Sequence, residues 1–213
     1  MKILFKFTTR SRPDLFKRGI SSIVDNCISE DYQILVSYDQ DDTTMEGIED
    51  YYKGNTKIVF CKGTSTGKIN AINRDLDKIT DWDILVNMSD DMIFTQNGFD
   101  AFIRGGFDNL DQCLHFPDGN TTAIITMSVL GKAFFDRFGY IYHPDYISLF
   151  CDNEQTEVAK ILGAYKFIDK KMFEHRHPAW AKAETDEQYR HTESFWGQDE
   201  ATFLRRKAIN FGL

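Results

Sequence analysis

Two adjacent carboxylates, Asp90 and Asp91, stand in the stretch 87–94, NMSDDMIF, directly after the apolar run DWDILV. Like charges side by side repel unless solvent or a cation takes them up. Carboxylate oxygens grouped at a strand end suit Mg²⁺ or Mn²⁺, which accept one or two protein carboxylates and fill their shells with water and phosphate oxygens. An isolated Asp-Asp is more often a cap on the next turn, so the weighting rests on three other segments. Thr8-Thr9-Arg10-Ser11-Arg12 offers hydroxyls and two guanidiniums, whose planar forks match phosphate oxygens. Asp39-Gln40-Asp41-Asp42 offers acids, and Asp39, nearest the preceding strand, is placed to accept from a ribose hydroxyl or a base N–H. Gly67-Lys68-Ile69-Asn70-Ala71-Ile72-Asn73 is a glycine-led helix start with a lysine, suited to an anion, with Asn70 and Asn73 near one face. It is not a P-loop, because GxxxxGK[ST] is absent.

Chemistry needs these segments in one place, and the hydrophobic pattern supplies the means. Residues 2–8, 33–38, 58–61 and 83–88 read as strands, and 14–28 as an amphipathic helix with Pro13 at its start. A short helix over 45–52 and a longer one over 68–79 complete a β-α-β-α-β-α-β order across the first ninety residues. That alternation predicts an α/β fold with a mostly parallel, doubly wound central sheet and helices on both faces. Ligands bind such sheets at the carboxyl ends of the strands. There the first, second and fourth strands carry TTRSR, DQDD and SDD. Further on, 97–107 reads as helix, 114–119 and 122–131 as strand-like, 131–139 and 152–163 as helices, 164–180 as one strand running into a turn, and 184–207 as helix.

Composition narrows the classes. The 213 residues, 42% hydrophobic, suit a single domain, 1–213, with a ligand-binding half over 1–95 and a second half over 96–213. The formal net charge of −8 disfavours sequence-independent nucleic-acid binding, which needs phosphate neutralisation. Cys27, Cys61, Cys113 and Cys151 are far apart and read as free thiols in apolar surroundings. The N-terminal MKILFKFTTRSRP reads as a strand, not a signal peptide, and no window approaches the ~20 apolar residues of a membrane span. The expectation is a cytoplasmic protein whose only possible membrane contact is peripheral.

Taken together, TTRSRP, Asp39, GKINAIN and SDD resemble the nucleotide-sugar half of a GT-A fold glycosyltransferase, of the large family 2 type. The resemblance covers roughly residues 2–95. It implies transfer of a sugar from a nucleotide-diphosphate sugar, most often a UDP-sugar, to an acceptor hydroxyl on a glycan, lipid or protein, by an inverting reaction that depends on Mn²⁺ or Mg²⁺. Thr8, Thr9, Arg10, Arg12, Asp39, Lys68, Asn70, Asn73, Ser89 and Asp90 would bind the donor, and Asp91 the metal. Ser89 stands where the family's D-x-D pattern has its first acid. The family's catalytic base lies late in the chain before a helix, in an E-D pair that this chain lacks. Asp152 matches the placement best and Glu154 is the alternate, although an acid at Asp152 is also an ordinary helix N-cap. A histidine completes the metal site in some such enzymes. His175 and His177 alternate along a strand, so only one can serve, and His177, beside Pro178, is the first choice. Trp180, Trp196, Tyr140, Tyr142 and Tyr146 could form a platform for sugar rings, and Asp118-Gly119-Asn120 a polar turn facing the donor sugar. The competing readings are a nucleotide-sugar binder without turnover and a sugar-phosphate nucleotidyltransferase. The second usually needs a glycine-rich basic loop after the first strand, and TTRSRPD has no glycine there.

Overall fold

The computed structural model describes residues 1–176 and 185–213. His177 and Trp180 lie outside the described residues. Four strands, β1 (Ile3–Thr8), β2 (Tyr32–Asp39), β3 (Ile58–Gly63) and β4 (Ile84–Ser89), are mutually parallel. They read as near-continuous apolar runs because both faces of a parallel sheet are covered by helices. The second half adds β6 (Cys113–His115), β7 (Val129–Gly131) and β8 (Tyr165–Phe167), giving one sheet in the order β3-β2-β1-β4-β7-β6-β8. β7 is antiparallel to both β4 and β6. Both halves of the chain therefore contribute to the same sheet.

Alternation along β1 splits the core. Ile3, Phe5 and Phe7 pack with Phe16, Ile20 and Ile23 of α1 (Pro13–Asn26) and with Phe99 and Ile103 of α4 (Phe99–Gly106). Leu4 faces the other way, toward Ile69 and Ile72 of α3 (Lys68–Asn73), Phe134 of α5 (Lys132–Asp136) and Ala159 of α6 (Cys151–Ile161). A short α2 (Ile48–Tyr51) links β2 to β3. The four cysteines are free, Cys113 and Cys151 buried and the other two half-buried.

Four segments depart from the pattern read off the sequence, each for a local reason. The helix expected over 68–79 stops at Asn73, with Arg74 extended and Asp75 at φ +66°. The sheet captures it: Lys6 Nζ donates to the Arg74 carbonyl at 3.0 Å, and Ser37 Oγ to Asp75 Oδ2 at 2.7 Å. The strand-like stretches 114–119 and 122–131 shorten to three residues each. Between them Asp118 Oδ1 accepts the N–H groups of Asn120 (2.7 Å) and Thr121 (2.9 Å), which turns the chain out of the sheet. The segment after residue 164 holds two strands, not one. The second, β9 (Phe173–His175), leaves the main sheet to pair antiparallel with β5 (Met92–Phe94), placing Met92 opposite His175. The C-terminal helical segment is two helices, α7 (Glu187–Glu193) and α8 (Trp196–Ala208), broken at Ser194-Phe195.

Candidate functional site

Strands β1, β2 and β4 end level with one another, since Thr8 pairs with both Ser37 and Ser89. The polar segments that follow them must then open onto one edge. A cavity of about 440 Å³ lies there, lined by Thr8, Thr9 and Arg10, by Asp39, by Lys68, by Ser89 to Asp91, and by Asp152 and His175 from the second half.

Asp91 in it meets three other side chains. Ser89 Oγ donates to its Oδ1. Tyr189 of α7 donates to Oδ2 at 2.9 Å, and His175 Nε2 stands 3.3 Å from that same oxygen. The other ring nitrogen, Nδ1, lies 3.4 Å from Oδ2 of the fully buried Asp118. Burial raises the Asp91 carboxyl, but the His175 bond and charge, with Lys68 and Ser89, hold it far below the usual carboxylate range. Burial lowers His175, yet Asp118 and Asp91 together push it up to about 9. Asp90 differs from its neighbour. Burial, assisted by Asp91, raises it to about 6 against the pull of Arg12 and Thr9. Thr9 Oγ1 donates to Asp90 Oδ2 at 3.2 Å and Arg12 Nη1 to Oδ1 at 2.9 Å. Arg12 also forks onto Asp186 at 2.8 and 2.7 Å and lies over the Tyr189 ring at 4.1 Å. Arg12, expected at phosphate, is thus spent on tying α7 to the strand ends.

The donor set meets the requirements of a hard divalent cation in one respect. Asp91 Oδ2 and His175 Nε2 are adjacent, 3.3 Å apart, and a carboxylate behind Nδ1, here Asp118, is the usual orienting partner of a metal-ligating histidine. Among the described residues no group of three or more such side chains surrounds one position. The remaining ligands would come from phosphate oxygens and water, as Mg²⁺ sites commonly arrange.

The opposite segments are occupied differently. Arg10 Nη1 donates to Asp39 Oδ2 at 2.8 Å and the same guanidinium forks onto Asp41 at 2.8 and 2.9 Å. Lys68 is exposed and forms no ion pair among the described residues, so it is a cation available to an anion in the cavity. Asn70 and Asn73 are not brought to the cavity. Asn70 Oδ1 accepts from Thr66 N at 3.2 Å, closing the loop before α3. Asn73 donates to the Tyr142 carbonyl at 2.6 Å and accepts from the N–H groups of Ile141 and Tyr142, fastening the loop at residues 141–142.

The two late acids separate. Asp152, second residue of α6, lines the cavity, and burial raises its pKa. It is not the N-cap, a position taken by Phe150. Glu154 faces away. It is buried, accepts both Arg206 Nε (2.7 Å) and Nη2 (2.8 Å), and accepts Tyr146 OH at 2.8 Å. One turn of helix at ~100° per residue puts positions two apart on opposite sides. The loop before α6 is pinned by the buried Asp199 of α8, which accepts the N–H groups of Ile147, Ser148 and Leu149 at 2.8–2.9 Å. Of the aromatics proposed as a platform, Tyr142 lines the cavity, Tyr146 is buried against Glu154, and Trp196 packs on Phe150.

The chain superposes on a mannosyltransferase from Pyrobaculum calidifontis solved with GDP-Man and Mn²⁺, at 13% identity and a TM-score of 0.64, over 80% of this chain and 55% of that one. It is similar to S. aureus TarS 1–349 solved with UDP-GlcNAc, at 13% identity and a TM-score of 0.64, over 90% of this chain and 64% of that one. TarS 1–349 with UDP matches at 14% identity and 0.65, over 97% and 71%. The chain has the GT-A glycosyltransferase fold. No known protein family and no curated protein matches it by sequence. Among the described residues no helix is long and apolar enough to cross a membrane.

Within this GT-A chain, several residues that build the site escaped the sequence reading. Tyr189 and Asp186 sit in a charged helical segment with no local sign of contact with Asp91 or Arg12. Asp118, expected to face the donor sugar, backs His175. Ser65 and Arg74 address Asp39, and Lys6 of β1 holds the Arg74 carbonyl. The one available signal was Lys6 itself, a lysine in the middle of an apolar strand.

Proposed function

We propose that this chain is a divalent-metal-dependent glycosyltransferase that moves a sugar from a nucleotide-diphosphate sugar, a UDP-sugar by family resemblance, to an acceptor hydroxyl with inversion. What supports it above all is that one cavity gathers Asp91, His175, backed by Asp118, Lys68, without an ion pair among the described residues, and the half-buried Asp152. Asp91 Oδ2 and His175 Nε2 would hold Mn²⁺ or Mg²⁺, which when bound offsets the charge that grows on the leaving diphosphate. Histidine ligates only as neutral imidazole, so to hold a cation His175 would have to give up the proton that Asp91 and Asp118 stabilise on it. Lys68 adds a fixed positive charge where the diphosphate departs. Asp152 takes the proton of the acceptor hydroxyl as the acceptor oxygen bonds to the anomeric carbon. The anomeric C–O bond to the diphosphate breaks, and its electron pair leaves with the diphosphate. A carboxylate whose pKa burial raises is a better base for that step than a solvated one. The acceptor is a glycan, lipid or protein.

A thermal-shift panel of nucleotide sugars with Mn²⁺ tests the donor site. Binding stabilises the native state by mass action, so a donor at ~100 times its Kd adds about 2.7 kcal/mol. No shift with any donor would remove the proposal. Asp152→Asn is expected to leave that shift intact and to lower turnover about 10²–10⁴-fold. Unchanged turnover would take the base role from Asp152. One observation favours a second reading, a binder without turnover. Both Asp91 oxygens already have protein donors in Ser89, Tyr189 and His175. Donor hydrolysis with and without Mn²⁺ separates the two.

A further inference from the structure

The chain from Ile147 to Phe150 runs between the two helix starts that bring Lys68 and Asp152 to the cavity. On one side, the Ile147 carbonyl accepts the N–H of Ile69 at 3.0 Å, one residue past Lys68 at the start of α3. Gly67 permits that approach: a Cβ there would sit 2.9 Å from Ile147 Cγ2 and 3.2 Å from the Ile147 carbonyl oxygen. On the other side, Phe150 is the N-cap of α6 and leads through Cys151 into Asp152. Phe150 stands at φ +60°, in the left-handed region that residues with a Cβ rarely adopt. Burial raises the Asp152 carboxyl, and the Asn153 N–H and the Lys68 charge work against that. Lys68 and Asp152 thus act on one another across the cavity, and residues 147–150 join the helices that carry them.

A third helix holds this segment in place. Asp199 of α8 is fully buried and does not line the cavity. Its Oδ1 accepts the Ile147 N–H at 2.9 Å, and its Oδ2 accepts those of Ser148 and Leu149 at 2.8 Å. A carboxylate out of water must be hydrogen-bonded or paired, and consecutive backbone N–H groups curled around one anion satisfy it. Trp196 and Phe203 stand on the same face of α8 as Asp199, at i, i+3 and i+7 spacing, and take the Phe150 ring at 5.0 and 5.9 Å. The strained backbone at Phe150 persists because α8 fixes it from both the carboxylate and the rings. We propose that Asp199 is a positioning residue: by fixing residues 147–150 it sets Asp152 relative to Lys68, the base relative to the cation at the departing diphosphate. An inverting displacement needs those two groups aligned about the anomeric carbon, and a misplacement of ~1 Å from a change remote from the chemistry costs about 10²-fold. This inference rests on the roles of Asp152 and Lys68 proposed above.

The probe is the nucleotide sugar that raises the melting temperature most in the panel above. Its hydrolysis with Mn²⁺ is followed in the wild type, Asp199→Asn, Gly67→Ala, Asp152→Asn, and the two double variants that combine Asp152→Asn with either of the others. Asp199→Asn replaces one carboxylate oxygen by an amide that faces N–H groups, donor against donor. Gly67→Ala presses on Ile147 from the α3 side and leaves Asp199 untouched. Asp199→Asn is expected to lower kcat about 10²-fold and Gly67→Ala about 10-fold, with the donor's KM changing far less. Either change, added to Asp152→Asn, should lower kcat less than about twofold further, because residues that act through one base are not additive. An acid serving stability alone would lower the melting temperature and leave kcat per folded molecule unchanged. Wild-type kcat in folded Asp199→Asn, or losses that multiply in full in the double variants, overturn the proposal. If the wild type neither binds nor hydrolyses any nucleotide sugar, the transferase reading falls. If Asp152→Asn turns over like the wild type, the base role falls. This inference falls with either. Should Asp199→Asn not fold, Gly67→Ala and its cycle with Asp152→Asn decide alone.

Discussion

Asp91→Ala is expected to lower glycosyl transfer by about 10³-fold or more, the scale of removing a metal's stabilisation of the departing charge. The residue is the meeting point of the site: Ser89, Tyr189 and His175 all address its carboxylate. Its loss would remove one of the two side chains proposed to hold the cation, and would take from His175 the carboxylate 3.3 Å from its Nε2. Asp91→Asn keeps the shape and hydrogen-bonding size but not the charge, so it separates a loss of metal from a loss of folding. Both variants should show Mn²⁺ affinity reduced in titrations with UDP present, with the helical signal of the fold retained. Transfer at the wild-type rate in either variant would reject this carboxylate as the metal ligand and with it the mechanism above.

Glu154→Ala is expected to destabilise the fold by about 3–5 kcal/mol, because it strips a buried guanidinium of its partner. Glu154 and Arg206 are both less than a tenth exposed, and among the described residues the other hydrogen bond of Arg206 is to the Phe211 carbonyl at 3.0 Å. Tyr146 loses its acceptor as well. For a chain of 213 residues that corresponds to a fall in melting temperature of roughly 10 °C. The double variant Glu154→Leu with Arg206→Met should recover most of it, since replacing both members of a buried pair by apolar groups removes the unpaired charge. Donor affinity per folded molecule should be unchanged in both. An unaltered melting temperature with lost turnover would return Glu154 to consideration as the catalytic base. The contrast with Asp152→Asn, where turnover falls and stability holds, distinguishes two acids only two positions apart.

That contrast shows what a pattern can and cannot separate. Asp152 and Glu154 lie in the same acidic helix start, and local sequence ranks them only by analogy. Which one meets the cavity depends on the rotation of α6 against the sheet, set by the packing of Cys151 and Ala159 into the core and by Asp199 holding residues 147–149. Arg10 and Arg12 show the same limit. Both are forks fit for phosphate, yet the chain brings carboxylates to each of them from Asp39, Asp41, Asp90 and Asp186. Asn70 and Asn73 match a binding motif by spacing, and the fold uses their amides to fasten loops.

The parallel sheet, its carboxyl edge and the arrival there of TTRSR, DQDD, GK and SDD were determined by the sequence alone. Strand and helix periods are local properties, and the crossover rule turns their order into one topology. The tertiary structure decided the partners. The pairing of β5 with β9 carries His175 to Asp91 across more than eighty residues of chain. The docking of α7 places Tyr189 on the same oxygen. Lys6 of β1 and Ser37 of β2 meet Arg74-Asp75 after α3, and Arg74 faces Asp39. Such contacts depend on where distant segments end in space, at the scale of a hydrogen bond, and no short-range period records that.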